Sequence, residues 1–447
     1  MPRVRHHLQG SNPTKGTHLF QAQVSSSNLL WEEMHKQSIV FLFLSLASLH
    51  NVMAYMGVGG GIGVWINGQN APPSSPSIPS QSREFQALQA WKQAITEDPK
   101  GILSNWVGPN VCTYKGVYCS DSPDQTAPSN VVAGIDLNKA NLKGILVKEL
   151  SYLSHLTFFH INTNRFSGTV PDSFRDLQLL TELDLSNNQF SGPFPTGTVF
   201  IPQLFFLDLR FNQFSGEIPD ELFQKNLDAI FLNDNQFEGE IPPSLWSSPA
   251  SVITLANNKL TGTIPTTFGY MSSRAKELLL LNNKLTGCIP ETLGYLTGME
   301  VLDLSFNSLN GHVPGSLSCL TGIEVLNVAH NQLTGELPDV LCDLKRLANL
   351  SVAFNFFSGF SQECNQLPNR NVGFDFMGNC IPGQDMQRSQ PECNGVSGGD
   401  LSCLRIPGNR PVGCGTAQAT LGIGIGVGIG SFELPPVGLS ASMGPVP

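Results

Sequence analysis

Residues 180–195 read LTELDLSNNQFSGPFP, residues 204–219 read LFFLDLRFNQFSGEIP and residues 299–314 read MEVLDLSFNSLNGHVP. All three fit one template, LxxLxLxxNxLxGxIP. Tracking its Asn position outward gives Ala140, Asn164, Asn188, Asn212, Asn235, Asn258, Asn283, Asn307, Asn331 and Asn355, spaced 23 to 25 residues apart. Self-similarity at a fixed period marks an array in which no unit buries its apolar face alone and each coil rests on the next. The fold class expected is an α/β solenoid of about ten 24-residue coils, closed by caps.

Each column of the template has a physical task. The LxLxx core is a short strand in a parallel sheet, with its leucines turned inward. The Asn also turns inward, where its amide can bond backbone groups that the turn leaves unpaired. The Gly four residues on, found in all ten copies, permits a bend, and the Pro after it interrupts regular structure. Ten strands about 4.8 Å apart would make an inner surface roughly 45 Å long. Before the array, Phe85–Ile95 (FQALQAWKQAI) has helical apolar spacing. Residues 83–131 are therefore read as the N-terminal cap, 132–362 as ten repeats and 363–414 as a Cys-rich C-terminal cap.

The chain has 447 residues, of which only 13% are charged, while Gly and Pro number 44 and 31. The 40% apolar content supports a sizeable core. A formal charge of −10 argues against nucleic acid and for a basic partner. Ile39–Leu49 is an apolar run too short to span a bilayer but suited to a secretory signal, with Met34-His35-Lys36 before it and Val52-Met53-Ala54 as a cleavage site. Residues 1–54 are read as the signal region, with Met34 as an alternative start, and no transmembrane span is expected. Residues 55–82 and 415–447 are read as flexible Gly/Pro-rich flanks.

Ten cysteines follow the signal, and none forms a C-x-x-C pair. An even count in a secreted chain favours disulfides over zinc or redox chemistry. Cys112 and Cys119 lie together in the N-terminal cap and are read as a bridge. Cys342 and Cys364 occupy near-equivalent positions in adjacent repeats and are the pair expected at the far end.

Side chains alternate along a strand, so the residues six, four and two before each Asn face outward on the concave side. These columns contain Asp136, Glu182, Asp184, Asp208, Glu277 and Asp303 against the single base Arg210. Asp136, Phe158, His160, Glu182, Asp184, Phe206, Asp208, Arg210 and Phe231 gather in the N-terminal half as the candidate binding face. Exposed aromatics among carboxylates suit a cationic, partly apolar partner. His160, one rung from Asp136 and Asp184, should favour its protonated form. Asp184 and Asp208 would lie about 5 Å apart, the separation of a retaining glycosidase pair, but an open sheet offers no pocket to split their pKa values. No nucleophile elbow, phosphate loop, cofactor motif or metal-ligand pattern occurs, so the reading is a binder, not an enzyme. Asn349-Leu350-Ser351 is the one glycosylation sequon, and its Asn faces outward.

The Leu-x-Gly-x-Ile-Pro form of the repeat resembles the plant extracellular class of leucine-rich-repeat horseshoe. A narrower likeness lies in ALQAWKQAITEDPKGILSNWVGPNVCTYKGVYC from Ala87, VVAGIDLNKANLKG from Val131, FHINTNRFSGTVP from Phe159, LDAIFLNDNQF from Leu227, LNVAHNQLTGELP from Leu326 and NCIPGQDMQRS from Asn379. Together these resemble the leucine-rich-repeat extensins. The resemblance implies a cell-wall protein of plants whose repeat domain binds small basic cysteine-rich peptides, the rapid alkalinization factors, and a membrane receptor or wall polysaccharide as further partners. No Ser-Pro-Pro-Pro-Pro repeat follows Cys414, so the likeness is to tail-less relatives lacking the extensin domain, and Ser167 and Thr263 stand where family cysteines are expected. Two other readings share the repeat: an inhibitor of cell-wall-degrading enzymes, like the polygalacturonase inhibitors, and a structural wall protein.

Overall fold

A computed structural model describes residues 83–121, 130–265 and 274–395, all within the unit that begins at Trp65. The signal region, both flanks, Cys403 and Cys414 lie outside the described residues.

Each coil contributes one short strand to a twelve-stranded sheet. Its first member, Val117–Asp121, runs antiparallel to Asn130–Asp136; from there Phe158–His160, Glu182–Asp184, Phe206–Asp208, Ala229–Phe231, Val252–Thr254, Glu277–Leu279, Val301–Asp303, Val325–Asn327, Asn349–Ser351 and Gly373–Asp375 follow in parallel. From Asn130–Asp136 to Asn349–Ser351 the central residue is apolar and buried, as with Leu183, Leu207, Ile230 and Leu302, while Phe374 in the last strand is partly buried. The last strand lies within the segment read as C-terminal cap. Asn379, 24 residues after Asn355, continues the pattern there, accepting a bond from the Phe357 N–H at 3.0 Å. The repeat thus runs one coil beyond Asn355.

The asparagines form a ladder through the interior. Asn212 Oδ1 accepts from the Phe190 N–H of the preceding coil at 3.0 Å, while its Nδ2 donates to the carbonyls of Leu185 and Leu209 at 3.0 and 3.1 Å. The same three bonds recur at Asn188, Asn235, Asn283 and Asn331. To present that amide inward, the residue before each Asn takes a left-handed conformation, including β-branched Thr163 at φ 57° and Phe211 at φ 53°. In three consecutive coils this column stacks Phe306, His330 and Phe354, with ring centroids 4.0 and 4.3 Å apart. Burial, together with Arg388, pulls His330 down to about 4.

A second parallel array, absent from the sequence reading, follows the ladder. Arg165–Gly168, Gln189–Pro193, Gln213–Gly216, Gln236–Glu240 and Lys259–Thr261 pair in register, and Thr286–Cys288 to Phe356–Phe360 make a further four strands. From Gly168 to Gly335 the repeated Gly takes positive φ within or beside these strands. At Gly335, φ is 81° and a Cβ would fall 2.0 Å from His312 Nδ1, so glycine supplies both the turn and the room for the preceding coil's side chain. The Pro after it opens a 3₁₀ turn, as at Pro171 before Asp172–Asp176 and Pro290 before Glu291–Tyr295.

Aromatic rings fill the N-terminal half of the core. Phe166, Phe190, Phe214 and Phe237 stack face to face at 6.2–6.4 Å between centroids, and Trp91 of the cap lies 5.7 Å from Phe166. The cap helix spans Arg83–Ala94, so Ile95 leaves it: Ile95–Glu97 pairs antiparallel with Lys143–Ile145 and covers the edge of the second sheet. Disulfides join Cys112 to Cys119, Cys342 to Cys364 and Cys380 to Cys393, and Cys288 and Cys319 are also disulfide-bonded.

Replacing Asn212 with Ala leaves the Phe190 N–H without its partner, while the Leu185 and Leu209 carbonyls keep the amides of Asn188 and Asn235 as donors. For one buried unsatisfied group the expected loss is about 1–3 kcal/mol. A lowered urea midpoint by circular dichroism checks it, and an unchanged midpoint contradicts the ladder's role.

Candidate functional site

The open face of the twelve-stranded sheet carries the candidate residues as a grid. Register places Tyr118, Gly134, Phe158, Glu182 and Phe206 along one row, and Asp136, His160, Asp184 and Asp208 along the next. Gly134 has no side chain to interfere, and Phe158 covers it: a Cβ there would meet the Phe158 ring at 2.0 Å. Tyr118, which the sequence reading left in the cap, lies 5.7 Å from Phe158 by ring centroid, and His160 lies 5.2 Å away on the other side. Its antiparallel pairing with the first coil could not be read from the repeat pattern.

The acids divide into two kinds. Asp184 Oδ1 accepts from the backbone N–H and hydroxyl of Ser186 at 3.0 and 2.6 Å, and Oδ2 accepts from Asn162 Nδ2 at 2.7 Å. Asp303 repeats this with Ser305 and Asn327. An Asp four residues before the Asn is thus a local cap that ends the strand, with its oxygens occupied by the fold. Among the described residues, Asp136 uses only Oδ1, on the Asn138 N–H, and Glu182 only Oε2, on His160.

Two expectations change. Asp208 is 1% exposed and Phe231 is 2% exposed, so neither presents a free surface. Arg210 covers both, with its Nε 3.0 Å from Asp208 Oδ2 and its guanidinium carbon 5.0 Å above the Phe231 ring, which also packs against Phe206 at 5.6 Å. Burial pushes Asp208 up to about 8; Arg210 opposes the rise and Asp184 adds to it. The sole base of the face therefore serves its neighbour, and Asp208 offers no carboxylate charge at acidic pH. Buried beneath Arg210, it is also closed to a substrate, which makes it a poor second carboxyl beside Asp184 for glycosidase chemistry.

His160 Nε2 lies 3.0 Å from Glu182 Oε2. Burial lowers its pKa, but the Glu182 bond and the charges of Glu182, Asp184 and Asp136 outweigh that, and the net direction is upward from 6.5. The nearest carboxylate is thus in the neighbouring row, not in the Asp column that the sequence pointed to. Among the described residues no cluster of His, Cys, Asp or Glu is arranged to hold a metal ion. At the far end, Asn349 is exposed and Ser351 buried. Gly373 on the adjacent strand leaves the Asn349 amide clear; a Cβ there would approach Nδ2 to 3.0 Å.

An NMR titration should place the His160 pKa above that of a model peptide, and Glu182→Gln should bring it down. Because the folded value is raised, the pair's contribution to stability is full below about pH 6.5 and is lost as pH rises through the folded value. A wild-type value at or below the model peptide's contradicts the electrostatic account.

Sequence comparison agrees with the cap and coils. The family model for the leucine rich repeat matches residues 154–214 and 273–333, and that for the leucine rich repeat N-terminal domain matches residues 81–120. Leucine-rich repeat extensin-like protein 4 of Arabidopsis thaliana is 68% identical over 149 residues, covering 33% of this chain and 30% of that protein. The chain thus matches less than a third of that relative's length. The Arabidopsis receptor kinase HAESA, solved with the peptide hormone IDA and the co-receptor SERK1, superimposes with a TM-score of 0.57 at 28% identity, covering 66% of this chain and 50% of that one. A plant ice-binding protein gives a TM-score of 0.51 at 25% identity, covering 67% and 96%. No helix among the described residues is long and apolar enough to cross a membrane. From its N-terminal cap, its Asn-laddered coils and these identities, the chain is a leucine-rich-repeat protein homologous to the plant leucine-rich-repeat extensin-like proteins.

Proposed function

We propose that this is an extracellular plant protein that binds a small, basic, cysteine-rich peptide of the rapid-alkalinization-factor type on the N-terminal rungs of its open sheet, acting in wall signalling or assembly. The observation that carries the reading is the grid of Phe158, His160, Glu182 and Asp136: aromatic surface beside two carboxylates that the fold leaves partly unbonded. An acidic rim steers a cationic peptide and fixes its register, while the rings supply apolar contact. Disulfides at both ends suit an oxidising, extracellular compartment. HAESA, which shares the fold, is seen with a peptide hormone.

Asp184 and Asp208 are poor probes of this reading, because their oxygens hold the strand ends and changing them tests folding. Glu182→Lys reverses a charge on a half-buried side chain that points from the sheet. It should weaken a synthetic rapid-alkalinization peptide at least tenfold by titration calorimetry, with the melting temperature retained. Unchanged affinity contradicts the assignment. Capture from wall extract separates the other readings, since a hydrolase on the resin selects the inhibitor and polysaccharide alone the structural protein.

We also assign a glycan to Asn349, at the clear end of the same face. Intact mass before and after glycosidase treatment should fall by one N-glycan, and an identical mass contradicts it.

A further inference from the structure

The same sheet changes character toward its C-terminal half. Two coils place Asp and Ser four and two residues before the ladder Asn, as Asp184/Ser186 and Asp303/Ser305. The coil of Asn283 instead carries Leu279 and Leu281 there. Both are half-buried on the open face, and Val301 and Val325 lie beside them in the adjoining column, in register with Glu277. The core does not require these four side chains, since Leu278, Leu280, Leu302 and Leu326 already fill the interior of the same coils at 2% exposure or less. Between this strip and the acidic rungs, Ala229, Phe231, Val252, Thr254 and Ala256 form an uncharged floor, none more than 7% exposed.

We propose that this aliphatic strip seats the apolar part of the same basic peptide, so that the ligand lies along the sheet with its cationic part on the Phe158 and Glu182 rungs and its apolar part on the Leu279 and Val301 rungs. The proposal rests on the peptide-binding reading above and adds the second contact and the ligand's polarity. Phe158 and Val301 are six rungs apart, or about 30 Å at 4.8 Å per rung, which an extended segment spans in roughly nine residues. One continuous sheet presents both ends. Charge complementarity assigns the first to the peptide's basic residues, so apolar residues of the same ligand are left to cover the second. Two acids border the strip: Asp303, in register with Leu279, has its oxygens on Ser305 and Asn327, and Glu277 is raised by burial and by Glu300, with Lys276 opposing, which keeps that end less negative.

The test is Leu279→Asp with Leu281→Ser, a change that reproduces the Asp303-x-Ser305 cap of the next coil and so suits a fold the array already uses. It adds negative charge, which tightens binding of a purely electrostatic ligand. Calorimetry on the full chain should show a rapid-alkalinization peptide weakened at least tenfold, while hexalysine binds equally or more tightly. Leu279→Asn with Leu281→Ser, which adds the cap without the charge, should give the same loss, and unchanged melting temperatures exclude misfolding. Unchanged or increased affinity for the cysteine-rich peptide overturns the strip, and if Glu182→Lys still weakens binding, the acidic end stands alone. Absence of binding to the unaltered protein overturns both.

Discussion

The rest of the structure depends on the buried asparagine amide. Each one bonds backbone groups in its own coil and in the coil before it, so it ties coils together in the interior, where the backbone bonds of the two parallel arrays do not reach. Its geometry demands a left-handed residue immediately before it, at a cost of order 1 kcal/mol for an L-residue. Hydrogen bonds of roughly 1 kcal/mol each offset that strain, and without them buried N–H and carbonyl groups would be orphaned. The spacing from strand to Asn follows, because an Asn shifted along its strand loses the bonds to its neighbour, while the coil's length still ranges from 23 to 25 residues. Strand register, the phenylalanine stack and the glycine turns all follow once that spacing holds.

The same constraint decides what the open face has to offer. A strand of three residues must end quickly to bring the Asn inward, and an Asp two residues past the strand's start caps the exit by accepting the N–H of the second residue on. Carboxylates in that column are therefore mostly structural, and Arg210 answers the one that is fully buried. Usable negative charge is left at Asp136 and Glu182. Farther along, Leu279 abandons the cap and turns the face apolar. The face is therefore polar at one end and more aliphatic at the other.

Architecture alone does not choose a ligand. The coils superimpose on a receptor kinase holding a peptide hormone and on a plant ice-binding protein, so side chains on the solvent faces must set what each array recognises. Here the distinguishing features are the Phe158–His160–Glu182 corner and the aliphatic strip. The identity to an extensin-like protein covers a third of the chain, which ties the scaffold to that family more firmly than it ties the ligand.

Much of the fold was legible in the linear pattern, because a 24-residue period with Asn, Gly and inward leucines states local geometry one coil at a time. The inward direction of Asn188 or Leu183 needs only strand alternation, and Cys342 and Cys364 stood near each other simply by lying in adjacent coils. Other features required neighbours in space. The eleventh coil escaped because VGFDFMGN carries Phe in place of the leucines and lies among cap cysteines, so only its hydrogen bonds to the preceding strand reveal it. The second parallel array depends on pairing between coils, which a template that treats Gly and Pro as breaks does not express. Phe231 and Asp208 occupy columns that face solvent, yet Arg210 folds over them and removes both from water. The sequence by itself determined the repeat, its period and which side chains turn outward, since these are local stereochemistry. Only the tertiary structure decided which of those outward side chains remain available, because availability depends on what the adjacent rung lays across them.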